Sequence, residues 1–210
     1  MTQTFKRFQQ GFTVIEVAVV VAVLAVLASI IFVSYSSYRE DARDVQRKSD
    51  LQNIASAIKA YGTWKGNFVE TDSGCGVDSD GAGGTPADGN GWLTAGPGDL
   101  GASLYPRSIV QCLQDAKVLK EGDFLDPTGC TWDAGGICGS WNGVPAKAYM
   151  KATCTKGGVK KTYVFGHLEG VARSDAAIDA LCDANTVTGF TSDGQKWGTH
   201  YGMNYYIEIQ

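Results

Sequence analysis

Residues 12–33 read FTVIEVAVVVAVLAVLASIIFV, 22 consecutive positions with one ionisable side chain, Glu16. About 20 apolar residues suffice for a helix to cross the hydrocarbon core of a bilayer. The many valines and isoleucines would favour a strand in water. In lipid every backbone N–H and C=O must be satisfied within the segment, so the expected structure is a helix. Lys6 and Arg7 precede the run and stay on the cytoplasmic side, which sends the rest of the chain across. An ordinary secretory signal has a shorter apolar stretch followed by its cleavage site. Here the small residue, Gly11, comes before the apolar stretch. A carboxylate one turn inside the bilayer costs about 2.5–3.5 kcal/mol on insertion scales, so Glu16 marks a function rather than a bare anchor.

Gly11, then Phe12, then Glu16 four residues on, behind a short basic leader, resembles the processing signal of the type IV pilin superfamily. The segment Ala42-Arg43-Asp44-Val45-Gln46-Arg47-Lys48-Ser49-Asp50-Leu51 also looks like the corresponding stretch of many pilins and major pseudopilins. The resemblance implies cleavage between Gly11 and Phe12 by a membrane prepilin peptidase, and methylation of the new amine of Phe12. Glycine suits the cut because its bare backbone can enter a narrow site. Glu16 is then an assembly residue. A buried carboxylate needs a partner, and the available cation is the Phe12 amine of an adjacent subunit or of the same chain.

The implied organisation is a leader over 1–11, a transmembrane or filament-core helix over 12–33, an amphipathic continuation over 34–62, and a head over 63–210. Residues 34–61 contain neither Pro nor Gly. Leu51, Ile54, Ile58 and Tyr61 recur at helical spacing as one apolar stripe. Asp44, Arg47, Lys48, Asp50 and Lys59 are expected mostly off that stripe, and Gly62 is the expected stop. The helix from Phe12 to Tyr61 would be about 75 Å long at 1.5 Å per residue. The fold class expected is α+β, with this long helix packed on a small antiparallel-sheet head tied by disulfides.

Six cysteines, at 75, 112, 130, 138, 154 and 182, all follow the apolar run. An even count confined to a translocated region reads as disulfides. Cys75, Cys112, Cys130, Cys138, Cys154 and Cys182 allow 15 pairings. Cys130 and Cys138 flank the Gly-rich loop Asp133-Ala134-Gly135-Gly136 and are the best single pair. No Cys-x-x-Cys occurs, and neither His167 nor His200 stands at zinc-finger spacing to a cysteine pair.

Residues 74–101 hold ten glycines and read as a long loop. Gly96-Pro97-Gly98-Asp99-Leu100-Gly101 fits G-x-G-x-x-G without the strand–helix context of a dinucleotide site. Asp78-Ser79-Asp80-Gly81 opens like a calcium loop, but Gly89 stands where the closing Glu is needed. No cofactor is expected, with a looser calcium site left open. Beyond the loop, a short helix is expected over 108–119. Strands are expected over 146–154 and 160–168 about the turn Thr155-Lys156-Gly157-Gly158. A helical turn over 175–182 is expected under a Ser174 cap. A last strand runs from His200 to Ile209, with Tyr201, Met203, Tyr205, Ile207 and Ile209 on one face.

No nucleophile elbow, H-E-x-x-H or phosphate loop is present, so no enzyme is expected. Removing residues 1–11 removes two basic residues and no acid, which takes the formal net charge from −4 to −6. Nucleic acid is therefore not an expected partner, despite Lys156, Lys160 and Lys161 at one hairpin. Tryptophans 64, 92, 132, 141 and 197 suit packing better than an adhesive face. The reading is a structural subunit, major or minor, of a bacterial type IV pilus or pilus-like filament. Its expected partners are itself, other pilins, the prepilin peptidase and an inner-membrane assembly platform. It would wait in the inner membrane with its head outside, then enter an extracellular or periplasmic filament. The alternatives are a pseudopilin of type II secretion, whose heads are usually poor in cysteine, and a minor pilin acting as an adhesin or DNA-binding module.

Overall fold

A computed structural model describes residues 12–69, 75, 90–94, 107–129, 147–187 and 196–209, and within the first stretch the side chains of all but residues 31–34 and 36. The chain divides into two units, residues up to Glu40 and residues from Asp41 onward. The elements in chain order are α1 (Val14–Lys65), β1 (Gly91–Trp92), α2 (Ile109–Asp115), β2 (Met150–Lys156), β3 (Val159–Gly166), α3 (Asp175–Asp179) and β4 (Tyr205–Ile209). The four strands form one antiparallel sheet in the order β1-β2-β3-β4. This is the expected α+β class, an N-terminal helix followed by an antiparallel sheet with disulfides.

In the second unit the sheet is the middle layer, because strand side chains alternate between faces. Tyr149, Val164 and Ile209 pack with Leu51, Ile54, Ile58 and Tyr61 of α1 and with Ile109 and Leu113 of α2. Met150, Ala152, Tyr163 and Phe165 face the other way and pack with Ile178, Trp197, Tyr201 and Met203. Lys156 pairs with Val159 across Gly157-Gly158. Both glycines have positive φ, 58° and 81°, which makes the hairpin turn expected here a type I′ turn.

Several boundaries differ from expectation for local reasons. Helix α1 passes through Gly62 and ends three residues later at Lys65, where Gly66 takes φ 81° and its N–H bonds the Gly62 carbonyl at 2.8 Å. Gly62 instead lies under the Phe68 ring, which a Cβ there would meet at 2.4 Å. Helix α2 starts as expected at Ser108, which shares a reciprocal capping box with Gln111. It stops early because Lys117 turns to φ 59°. Ser174 makes no side-chain cap bond to α3. That helix stops at Asp179 because the chain beyond it is drawn to β2: Cys182 is bonded to Cys154, and the Asp183 N–H donates to the Thr155 carbonyl at 2.8 Å.

The last strand is shorter than expected. Residues 197–201 form turns, with Gly202 at φ 67°. The alternation breaks at the buried Asn204, whose side chain bonds the Leu168 backbone N–H and carbonyl, so Tyr201 and Met203 enter the aromatic core while Tyr205, Ile207 and Ile209 pack on the helix-facing side. In that core Phe165 and Trp197 stack at 5.2 Å, and Trp92 meets Tyr201 edge-on at 5.5 Å.

Cys75 is bonded to Cys112 and Cys154 to Cys182; the expected Cys130–Cys138 pair lies outside the described residues. The bridges close separations of 37 and 28 residues, for which loop entropy gives about 3–4 kcal/mol each. Replacing Cys154 and Cys182 by serine should lower the unfolding free energy of the full chain in detergent by about 3 kcal/mol. Guanidinium melts of variant and parent check this, and equal midpoints would refute it.

Candidate processing and assembly site

Helix α1 opens with Thr13-Val14-Ile15-Glu16, a sequence in which threonine can cap the helix and the glutamate three residues on can cap in return. Both bonds form. The Glu16 N–H donates to Thr13 Oγ1 at 3.3 Å. Glu16 Oε2 accepts from the Thr13 N–H and from the Thr13 hydroxyl, each at 2.8 Å. Among the described residues none donates to Glu16 Oε1, so one carboxylate oxygen serves the chain's own helix and the other is open. The T-x-x-E spacing is the sequence signature of this capping box, and it gives Glu16 a partner within its own chain as well as the intersubunit one expected. Phe12 stands just before it with 86% of its surface exposed. Gly11 lies outside the described residues.

Every described side chain from residue 12 to residue 30 is exposed. A helix that is apolar all round needs apolar surroundings, lipid or protein. Ser29, exposed like the rest, satisfies its hydroxyl within the helix: Oγ donates to the Val26 carbonyl at 2.7 Å. Among the described residues no helix is long and apolar enough to cross a membrane. The described side chains of the apolar run end at Ile30.

The second unit carries a feature that the sequence reading missed. Arg47 is buried, with 3% of its side chain exposed, on the same stripe as Leu51, Ile54 and Ile58. It donates to both oxygens of Asp126 at 2.7 and 2.9 Å. It also donates to Asp44 Oδ1 and Glu169 Oε1, each at 2.7 Å. Asp44 in turn accepts the backbone N–H groups of Glu169 and Gly170 at 2.9 and 2.8 Å, and Arg43 pairs with Glu169. Asp44 and Arg47 were expected mostly off the stripe because charges avoid buried faces. They are on it because together they satisfy each other and two loop segments.

The network sets the acid response of this unit. Burial would raise Asp44, but the Gly170 and Glu169 N–H groups and Arg47 outweigh it and hold it below the ordinary value. Burial would likewise raise Asp126, and Arg47 and Thr128 bring it down. Glu169 is lowered to about 2, first by Arg43 and against some burial, then by Arg47. Lowered carboxylates stabilise fully above their unfolded values near 4 and lose that contribution as pH falls through the folded values. Asp50 works the other way, raised by burial against a hydrogen bond from Tyr149. The three lowered groups outnumber it, so thermal stability should fall steeply between about pH 4 and pH 2. Glu169→Gln should make that decline shallower, and melting curves across the range check both.

The other residues singled out in the sequence are dispersed. His167 is half-buried with Nδ1 at 2.9 Å from the Gly202 carbonyl, and burial lowers its pKa. His200 packs edge-on to Tyr201 at 4.8 Å. Lys156 pairs with Asp183 at 3.5 Å and Lys161 with Glu208 at 2.8 Å, which leaves little of a cationic stripe. Trp92 and Trp197 are fully buried, and Trp64 is exposed. Trp132, Trp141, Asp78 to Gly81 and Gly96 to Gly101 lie outside the described residues. Among the described residues no group of three or more His, Cys, Asp or Glu side chains is arranged to hold a metal ion.

No curated protein and no solved structure matches the chain significantly. The family model of the prokaryotic N-terminal methylation motif matches residues 6–32, the span that holds Gly11, Phe12, the Thr13–Glu16 capping box and the exposed apolar helix. Residues 6–32 of this chain carry the prepilin-type signal of type IV pilins and pseudopilins.

Proposed function

We propose that the protein is a structural subunit of a bacterial type IV pilus or pilus-like filament, held in the inner membrane by residues 12–33 until it assembles. The observation that carries this reading is the methylation motif over residues 6–32, which also points to a structural subunit rather than an enzyme. The prepilin peptidase cuts between Gly11 and Phe12, and the new Phe12 amine is methylated. The anchor then leaves lipid for a bundle of like helices, burying the side chains that the single chain exposes. This is heterologous, non-closing association, which builds fibres. Glu16 directs it: Oε2 caps its own helix, and the open Oε1 accepts the Phe12 amine of the neighbouring subunit. The cysteines favour a pilus over a secretion pseudopilus.

Mass spectrometry of the membrane or filament form tests the reading. The mature chain should begin at Phe12 and carry an N-methyl group, and Gly11→Val should block the cut while leaving insertion intact. Assembled material that begins at Met1 would overturn the proposal.

A further inference from the structure

The apolar run does not pass directly into charged residues. Tyr35 and Tyr38 come first, 60% and 74% exposed, and they lie three residues apart on one face of α1. Arg39 follows, with its guanidinium 5.8 Å from the Tyr35 ring centre, and Glu40 closes the unit. A tyrosine ring with an apolar body and a hydroxyl tip is placed best at the boundary between hydrocarbon and water. Water alone gives no reason for two such rings at one helix face, since either could be any small polar residue.

The helix rise sets where they stand. From Phe12 to Tyr35 the helix climbs about 35 Å at 1.5 Å per residue. The hydrocarbon core is about 30 Å thick, and the bilayer with its headgroups about 40–45 Å. With Phe12 at the inner boundary of the core and the helix at the usual tilt of about 20°, Tyr35 stands about 32 Å and Tyr38 about 37 Å above that boundary, both within the outer headgroup layer. Arg39 reaches the lipid phosphates from there, and Glu40 and Asp41 stand in water. We infer that Tyr35, Tyr38 and Arg39 form an interfacial belt that docks on the headgroups of the outer leaflet and fixes the depth of the unassembled subunit. This inference rests on the anchor reading of residues 12–33 and adds its outer contact surface and the ligand chemistry, a phospholipid headgroup.

The test uses the full chain in vesicles of phosphatidylethanolamine and phosphatidylglycerol that contain brominated lipids. Tyr35→Trp, Tyr38→Trp and Val23→Trp are each compared with the parent chain, so that the native tryptophans cancel. The added emission of Tyr35→Trp and Tyr38→Trp should be quenched more by bromines near the ester carbonyls than by bromines near the chain ends. Val23→Trp should show the reverse. If Val23→Trp is quenched and the two tyrosine sites are not, those sites stand in water or against protein, and the belt is refuted while the anchor survives. If all three are quenched best by deep bromines, the belt is refuted because the segment is buried. If Val23→Trp is not quenched at all, the anchor reading itself fails and takes the belt with it.

Discussion

Arg47→Ala should destabilise the second unit by about 3–5 kcal/mol, the usual cost of removing one partner from a buried ionic cluster. The substitution leaves Asp126, Asp44 and Glu169 facing one another without the cation that joins them. Carboxylates in that position must protonate or draw in water, and both routes loosen the segments around residues 126 and 169. Arg47→Lys should recover only part of the loss. A lysine ammonium cannot make the paired contact to Asp126 and reach two further carboxylates in the same fixed geometry. Denaturant unfolding followed by circular dichroism gives the measurement. A loss below about 1 kcal/mol, the range of exposed ion pairs, would show that the network contributes no more than a surface salt bridge.

Glu16→Ala should leave cleavage and head folding intact and stop filament formation, so that processed subunits accumulate in the membrane. Membrane insertion should become easier, because an ionisable group leaves the bilayer. The capping box supplies the control, since Glu16→Ala removes both a cap and a charge. Thr13→Ala removes the cap, at about 0.5–2 kcal/mol, and keeps the carboxylate. Glu16→Gln keeps an oxygen that can accept from Thr13 and loses the ion pair. If assembly depends on the intersubunit pair, Thr13→Ala subunits assemble while Glu16→Ala and Glu16→Gln subunits do not. If Thr13→Ala is as defective as Glu16→Ala, the carboxylate acts through its own helix, and the pairing in the proposed assembly is lost. Filament yield beside the amount of processed membrane subunit separates the two.

The parts legible in the sequence were those that depend on near neighbours. The α1 stripe of Leu51, Ile54, Ile58 and Tyr61 and the Gly157-Gly158 turn each follow from spacing or from one residue's conformational freedom. The same holds for the methylation motif, whose signal lies within a few neighbouring positions of residues 6–32. What escaped depended on distant partners. Arg47 reads as a surface charge until Asp126 and Glu169 are known to reach it. Lys151, in β2, is fully buried, with Nζ at 3.1 Å from the Val69 carbonyl and from Thr153 Oγ1, and nothing within a few residues of it signals that. The run Tyr201 to Ile209 alternates in sequence like a strand, but Asn204, bonded to the distant Leu168, divides it between two cores.

The Arg47 network also orders events in time. Its partners lie 79 and 122 residues further along the chain, and the loop-closure cost of such contacts must be met before they stabilise anything. A chain whose N-terminal residues stay behind while the segment after the apolar run is drawn across a membrane presents Arg47 early and Glu169 late. Until residue 169 emerges, the buried face of α1 has neither its sheet nor its counter-ions, and its apolar stripe is open to other chains. The interval between the arrival of Arg47 and that of Glu169 is therefore the period in which this protein is most exposed to aggregation and proteolysis.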